Sequence, residues 1–120
     1  MSGLQFMSEA SNRKLERRRR WQRRELVKLF QQGRVLVVSR EAPNRPGIAQ
    51  IVSLSRKPDG MAHVHIEHSY LSSWDDVLDE ADYKFQTFDM ALDWIETEYD
   101  IHWSHFHVPG QPPPGGLPGL

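Results

Sequence analysis

The 120-residue chain is 38% hydrophobic and 26% charged, a composition that supports one globular core and a length too short for two. It contains no cysteine, which excludes disulfides, thiol catalysis and Cys-ligated zinc. The formal net charge of -1 conceals two opposed halves: residues 1–57 carry 14 basic residues against four acidic ones (+10), and residues 58–120 carry one against 12 (-11). A chain divided in this way either offers its basic half to an acidic partner or pairs its halves, within one molecule or between two.

No apolar run approaches the length of a membrane span, and the opening MSGLQFM lacks the long apolar core of a signal peptide. The expectation is a cytoplasmic protein with no membrane partner. Residues 1–10 show no periodicity and are expected to be disordered. Residues 11–108 are expected to form a single α+β domain.

The segment 13–30, RKLERRRRWQRRELVKLF, organises the rest of the chain. On a helical wheel Leu15, Leu26, Leu29 and Phe30 fall on one narrow stripe, with Gln22 among them. Arg13, Arg17, Arg20, Arg24 and Lys28 fall on the opposite side. A basic N-terminal helix over residues 11–32 follows, ended by Gly33 as a left-handed cap. Arg13/Arg17, Arg20/Arg24 and Arg24/Lys28 are like-charge pairs four apart, so this helix needs a core beneath it or a polyanion beside it.

Three strand-like segments come next, at 34–40, 48–56 and 61–70. The second places Ile48, Gln50, Val52 and Leu54 on one face; the third turns Ala62, Val64 and Ile66 inward and His63, His65 and Glu67 outward. Between them Lys57-Pro58-Asp59-Gly60 is a strong turn signal, since Pro presets φ and Gly accepts a positive one. Ser72-Ser73-Trp74-Asp75-Asp76 reads as a helix start, Ser at the cap and acids in the first turn, for a short helix ending near Asp82. Thr87 is placed to cap an acidic amphipathic helix over 88–99, with Phe88, Ala91, Leu92, Ile95 and Tyr99 on its apolar stripe. Residues 101–108 either add a last strand or lie across the core. From Pro109 to the end, PGQPPPGGLPGL is rich in Pro and Gly, and residues 109–120 are expected to be a disordered tail. The predicted architecture is therefore a basic N-terminal helix, an antiparallel sheet of three or four strands, and an acidic helix packed on the sheet.

The order helix, three strands, helix is similar to that of double-stranded-RNA-binding domains. That family carries a basic cluster at the start of its second helix, where this chain has Thr87-Phe88-Asp89, so no family is assigned.

Among candidate functional residues the basic face comes first. Arg forks make bidentate phosphate contacts, and Trp21 lies at the edge of the cationic face, placed to stack on an exposed base. Arg13, Arg17, Arg20, Trp21, Arg24 and Lys28 are the expected binding residues for nucleic acid. The alternative partner is an acidic protein surface, including that of a second copy in a homodimer. His63 and His65 share a strand face with Glu67 and are candidate metal ligands, but no established ligand spacing accompanies them. No metal or other cofactor is expected. The acids between Asp75 and Asp82 are read as solvated charge near a helix start, and no nucleophile elbow, phosphate loop or catalytic triad signature is present. The chain is therefore read as a binding or regulatory protein and not an enzyme. Trp74, Trp94 and Trp103 are assigned to the core in preference to a partner patch.

Overall fold

The computed structural model describes the backbone of residues 2–116, and the side chains of residues 11–116 apart from Trp74. The fold is α+β, in the order α1 (Ser2–Gln31), β1 (Leu36–Glu41), β2 (Ile48–Arg56), β3 (Ala62–Tyr70), β4 (Ser73–Phe85) and α2 (Phe88–Tyr99), with short 3-10 turns at Trp103–His105 and Pro114–Gly116. The strands form one antiparallel sheet in the order β1-β2-β3-β4, a meander that needs no crossover. Both helices contribute to one core with one sheet face. Leu26 and Phe30 of α1 and Ala91, Leu92 and Ile95 of α2 are buried with Leu36, Val38, Val52, Leu54, Val64 and Ile66 of the strands. That alternation of strand residues is the period of two read from the sequence.

Gly33 ends α1 at φ 78, and the turn at Gly60 closes the β2–β3 hairpin at φ 81. Asp59 fixes this turn by accepting from the Met61 backbone N–H at 2.8 Å. Thr87 caps α2, its hydroxyl accepting from the Met90 N–H at 3.1 Å. At the other end Asp100 closes the helix in the left-handed region, φ 54, with its N–H bonded to the Glu96 carbonyl.

Two elements differ from the sequence expectation. The helix begins at Ser2, not near Ser11, because residues 2–10 contain no proline and include the helix formers Leu, Gln, Met, Glu and Ala. Met1 lies outside the described residues. Second, no short helix follows Ser72: β4 occupies Ser73–Phe85. The cap signal is overridden by the open edge of β3, whose ladder residues Ala62, Val64 and Ile66 find partners in Phe85, Tyr83 and Ala81. This fourth strand also sets the chain apart from the helix, three strands, helix order. Leu78 is left without a partner where the register shifts after His68, a bulge near the end of the sheet. Of the two placements left open for residues 101–108, the second holds: they lie across the core and meet the sheet at one point, where Val37 and His107 exchange backbone hydrogen bonds of 2.8 and 3.2 Å. Ile101, Ser104, Phe106 and Val108 are buried there.

Beyond Val108 the Pro/Gly-rich segment, expected to be disordered from 109, follows the flank of α1. Gly115, at φ 76, lies so close to the Trp21 indole that a Cβ there would stand 2.7 Å from ring carbon Cζ3. Residues 117–120 lie outside the described residues.

The turn at Trp103–His105, with Ser104 buried at its centre, carries a titratable cap. His102 Nδ1 accepts from the Ser104 N–H at 3.2 Å and lies 2.7 Å from Ser104 Oγ. Burial holds this imidazole below the ordinary value of 6.5, against an opposing pull from Glu96. The folded protein thus takes up this proton less readily than the unfolded chain. Its contribution to stability is complete above the ordinary histidine range and is lost as pH falls from about 6.5 through the lower folded value. His102→Asn keeps a capping acceptor and removes the titration, so its urea midpoint should fall less than that of the parent between neutral pH and about pH 5. Equal losses in the two proteins would remove His102 as the source.

Candidate nucleic-acid interface

The C-terminal part of the basic helix is seated in the core. Gln22, Leu26 and Phe30, each four residues after the last, are buried. Leu29 is half-buried against the same core. The sequence wheel placed Gln22 on this stripe without a partner; in the structure its Nε2 donates to the Ser104 carbonyl at 3.2 Å, and its Oε1 accepts from Arg19 at 2.9 Å. The amide is therefore satisfied in the core and ties α1 to the C-terminal segment. Leu15, assigned to the same stripe, is 42% exposed, because the sheet and α2 do not extend that far along the helix. Of residues 11–21 none is buried, and Arg19 alone is half-buried. A helix of 30 residues is about 45 Å long, so much of α1 stands clear of the sheet.

Arg23 is the basic residue that the sequence did not separate from the others. Its guanidinium pairs with Asp89 at 2.6 Å and lies 5.2 Å from the Trp103 ring centroid and 6.0 Å from that of Phe88. It is a link between α1 and the start of α2, with cation-π contact on both sides. Its position at the border of the apolar stripe was the available signal.

The expected binding residues keep to the outer side. Arg13, Arg17, Arg20 and Arg24 are exposed, and none has an acidic partner among the described residues. Lys28 pairs with Glu25 of the same helix at 3.1 Å while its own side chain stays 65% exposed. Trp21 is 43% exposed, with Gly115 against part of its ring. Arg17, Arg18, Trp21 and Gly115 line a shallow concavity there. The structure thus keeps these cations on one outward surface and brings Trp21 to its border.

The acidic half does not cover that surface. Arg23–Asp89 is an ion pair that joins α1 to it. Asp75, Asp76, Glu80 and Asp82 lie exposed along the edge strand β4, where charge discourages further strand pairing. Their position on a strand replaces the helix-start explanation given by the sequence.

The histidines fall into separate environments. His63 faces Asp59 at 3.1 Å, and His65 faces Asp82 across the strands at 2.7 Å. His68, not singled out by the sequence, lies on the other face within a polar chain. Arg40 donates to Gln50 Oε1 at 2.8 Å, so the Gln50 amide donates to His68 Nε2 at 3.0 Å, and His68 Nδ1–H donates to Asp79 at 2.6 Å. Arg45 stands 3.6 Å from the second Asp79 oxygen. The His68 hydrogen bond and the neighbouring Arg45 hold the Asp79 carboxyl below the usual carboxylate range. Both His68 nitrogens are occupied, so this His–Asp pair cross-links strands and has no free base to offer a substrate. Trp94 packs with Tyr83, Phe85 and Tyr99, ring centroids 4.5 to 5.6 Å apart.

Among the described residues no helix is long and apolar enough to cross a membrane. Comparison of the chain with protein-family models, with curated proteins and with solved structures finds no match in any of the three.

Proposed function

We propose that the chain is a small, non-catalytic, cytosolic binding protein whose Arg-rich helix holds nucleic-acid phosphates. The observation that carries this reading is the exposure of Arg13, Arg17, Arg20 and Arg24 on a helix that stands clear of the sheet, with no acidic side chain of the fold neutralising them among the described residues. The like-charge pairs of this helix are then relieved by a polyanion lying along it. Phosphate contacts of this kind position a protein without reading sequence, so base preference is expected to be slight. Trp21 adds a partly open ring for stacking on single strands.

A second reading rests on the exposed acids of β4. Asp75, Asp76, Glu80 and Asp82 offer the basic helix of another copy of the chain a complementary surface, and an unrelated acidic protein would present the same charge to the helix of this one. Fluorescence anisotropy of labelled duplex and single-stranded DNA and RNA, at low and near-physiological salt, separates the two. Micromolar binding that collapses with added salt supports the phosphate reading. Absence of binding at low salt, with a concentration-dependent dimer by analytical ultracentrifugation, replaces it with self-association.

A further inference from the structure

On the sheet face turned away from both helices, β3 and β4 place a mixed nitrogen and oxygen donor set that phosphate binding does not use. We infer that His65, Glu67 and Glu80 form a binding site for a divalent cation of the zinc class. One donor atom from each of the three lies within 4.8 Å of the others. The antiparallel register sets this up, because Glu67 stands directly opposite Glu80 and His65 directly opposite Asp82. Alternation then sends all four side chains to the same face, away from the buried Val64 and Ile66.

Two features distinguish this group from solvated surface charge. Asp82 accepts from His65 Nδ1 at 2.7 Å, and a carboxylate can only accept, so Nδ1 carries a proton and the neutral ring presents the Nε2 lone pair as the metal donor. That lone pair lies 3.9 Å from Glu80 Oε2. A carboxylate orienting the far nitrogen is the usual support behind a metal-ligating histidine. The second feature is electrostatic: like charges directly opposite on an antiparallel pair are destabilising, and neither Glu67 nor Glu80 has a Lys or Arg ion-pair partner among the described residues. A bound cation neutralises both.

Ligands on one zinc ion stand roughly 3.3 Å apart, given metal–ligand distances near 2.0–2.1 Å, so side-chain rotations of about an ångström close the site without moving the strands. One imidazole and two carboxylates suit zinc-like ions better than magnesium or calcium, which take oxygen ligands in larger number. Three protein ligands leave a further position for water or for a donor atom from a partner.

The test is calorimetric titration of the full chain with Zn2+, with Mg2+ and Ca2+ in parallel, followed by visible spectroscopy with Co2+ as a zinc surrogate. One equivalent should bind in the micromolar range, and Mg2+ and Ca2+ should not compete. His65→Ala, and the isosteric pair Glu67→Gln with Glu80→Gln, should abolish the tight phase and the Co2+ absorption. Asp82→Asn should weaken binding about tenfold to a hundredfold by releasing the imidazole. His105→Asn with His107→Asn should leave it unchanged. Tight binding that survives the two Glu→Gln changes, or affinity no better than millimolar in the parent protein, overturns the site. The Gln pair also removes a like-charge contact, so it folds at least as well as the parent and keeps the result interpretable.

Discussion

Changing Arg17, Arg20 and Arg24 to Glu together should weaken binding to duplex nucleic acid by at least about a hundredfold at low salt, while the fold stays intact. The three side chains are exposed and make no ion pair among the described residues, so their reversal removes nothing from the core. The change should leave the stability of the helix nearly the same. Arg13/Arg17, Arg20/Arg24 and Arg24/Lys28 are repulsive pairs at i,i+4, each costing about 0.2–0.5 kcal/mol. The variant makes the first and third of these attractive, leaves the second repulsive as two Glu four apart, and turns the favourable Glu16/Arg20 pair into a repulsive one. Loss of binding together with a steady or raised melting temperature distinguishes a lost interface from a lost structure.

Salt dependence supplies a second, independent readout of the same variant. If Arg13, Arg17, Arg20, Arg24 and Lys28 each neutralise one phosphate, the logarithm of the binding constant falls against that of salt with a slope of about -4.5. Lys28 shares its charge with Glu25, so a slope nearer about -4 is expected. Any residual binding by the variant should show a slope shallower by about 3. An unaltered slope and affinity would mean that phosphates lie elsewhere, and the reading of α1 as the interface would be abandoned.

How far the sequence specifies this arrangement depends on whether local pattern and tertiary need agree. They agree in the β2–β3 hairpin, where alternation and the Pro-Asp-Gly turn act together, and in α2, where Thr87 caps a helix whose apolar stripe matches its buried face. They disagree at β4. Ser72-Ser73 followed by acids is a genuine local signal for a helix start, yet the ladder groups of β3 require a partner strand. The alternation from Ala81 to Phe85, with Ala81, Tyr83 and Phe85 on the side of Ile66, Val64 and Ala62, carried the strand signal beneath that charge. In α1 the stripe through Gln22, Leu26 and Phe30 was legible, but not where along it the core ends. The wheel treats Leu15 and Leu26 alike; the extent of the sheet separates them. Arg23 was hidden for the same reason, since its Asp89 partner is 66 residues away. The candidate cation group was half visible: His65 and Glu67 share a face by alternation, but Glu80 and Asp82 join them only once β4 is a strand.

The C-terminal crossing segment carries the second large expected effect. Phe106→Ala should destabilise the protein by about 3–5 kcal/mol. Phe106 is fully buried and belongs to the same core as Leu26, Leu36 and Ile95. The cost depends on whether the surroundings can close over the void, and here the backbone is pinned on both sides. Val37 and His107 exchange hydrogen bonds at the sheet edge, and the Ser104 carbonyl is held by the Gln22 amide. A segment fastened so close to the lost ring cannot sink inward to fill its space, which places the loss in the upper part of that range. For a domain with a total stability of about 5–15 kcal/mol, this is about a third of what is available at the upper end and most of it at the lower. Urea denaturation should show the loss as a lower midpoint at unchanged slope, with exposed His105→Ala as the near-neutral comparison. Amide exchange adds the link to function. Because Gln22 bonds to this segment, residues 22–30 should lose protection in the Phe106 variant, loosening the base on which the cationic helix stands. A loss below about 1 kcal/mol would mean that residues 101–108 fold over the core without holding it together. The direction of α1 would then rest on Leu26, Leu29, Phe30 and the Arg23–Asp89 pair.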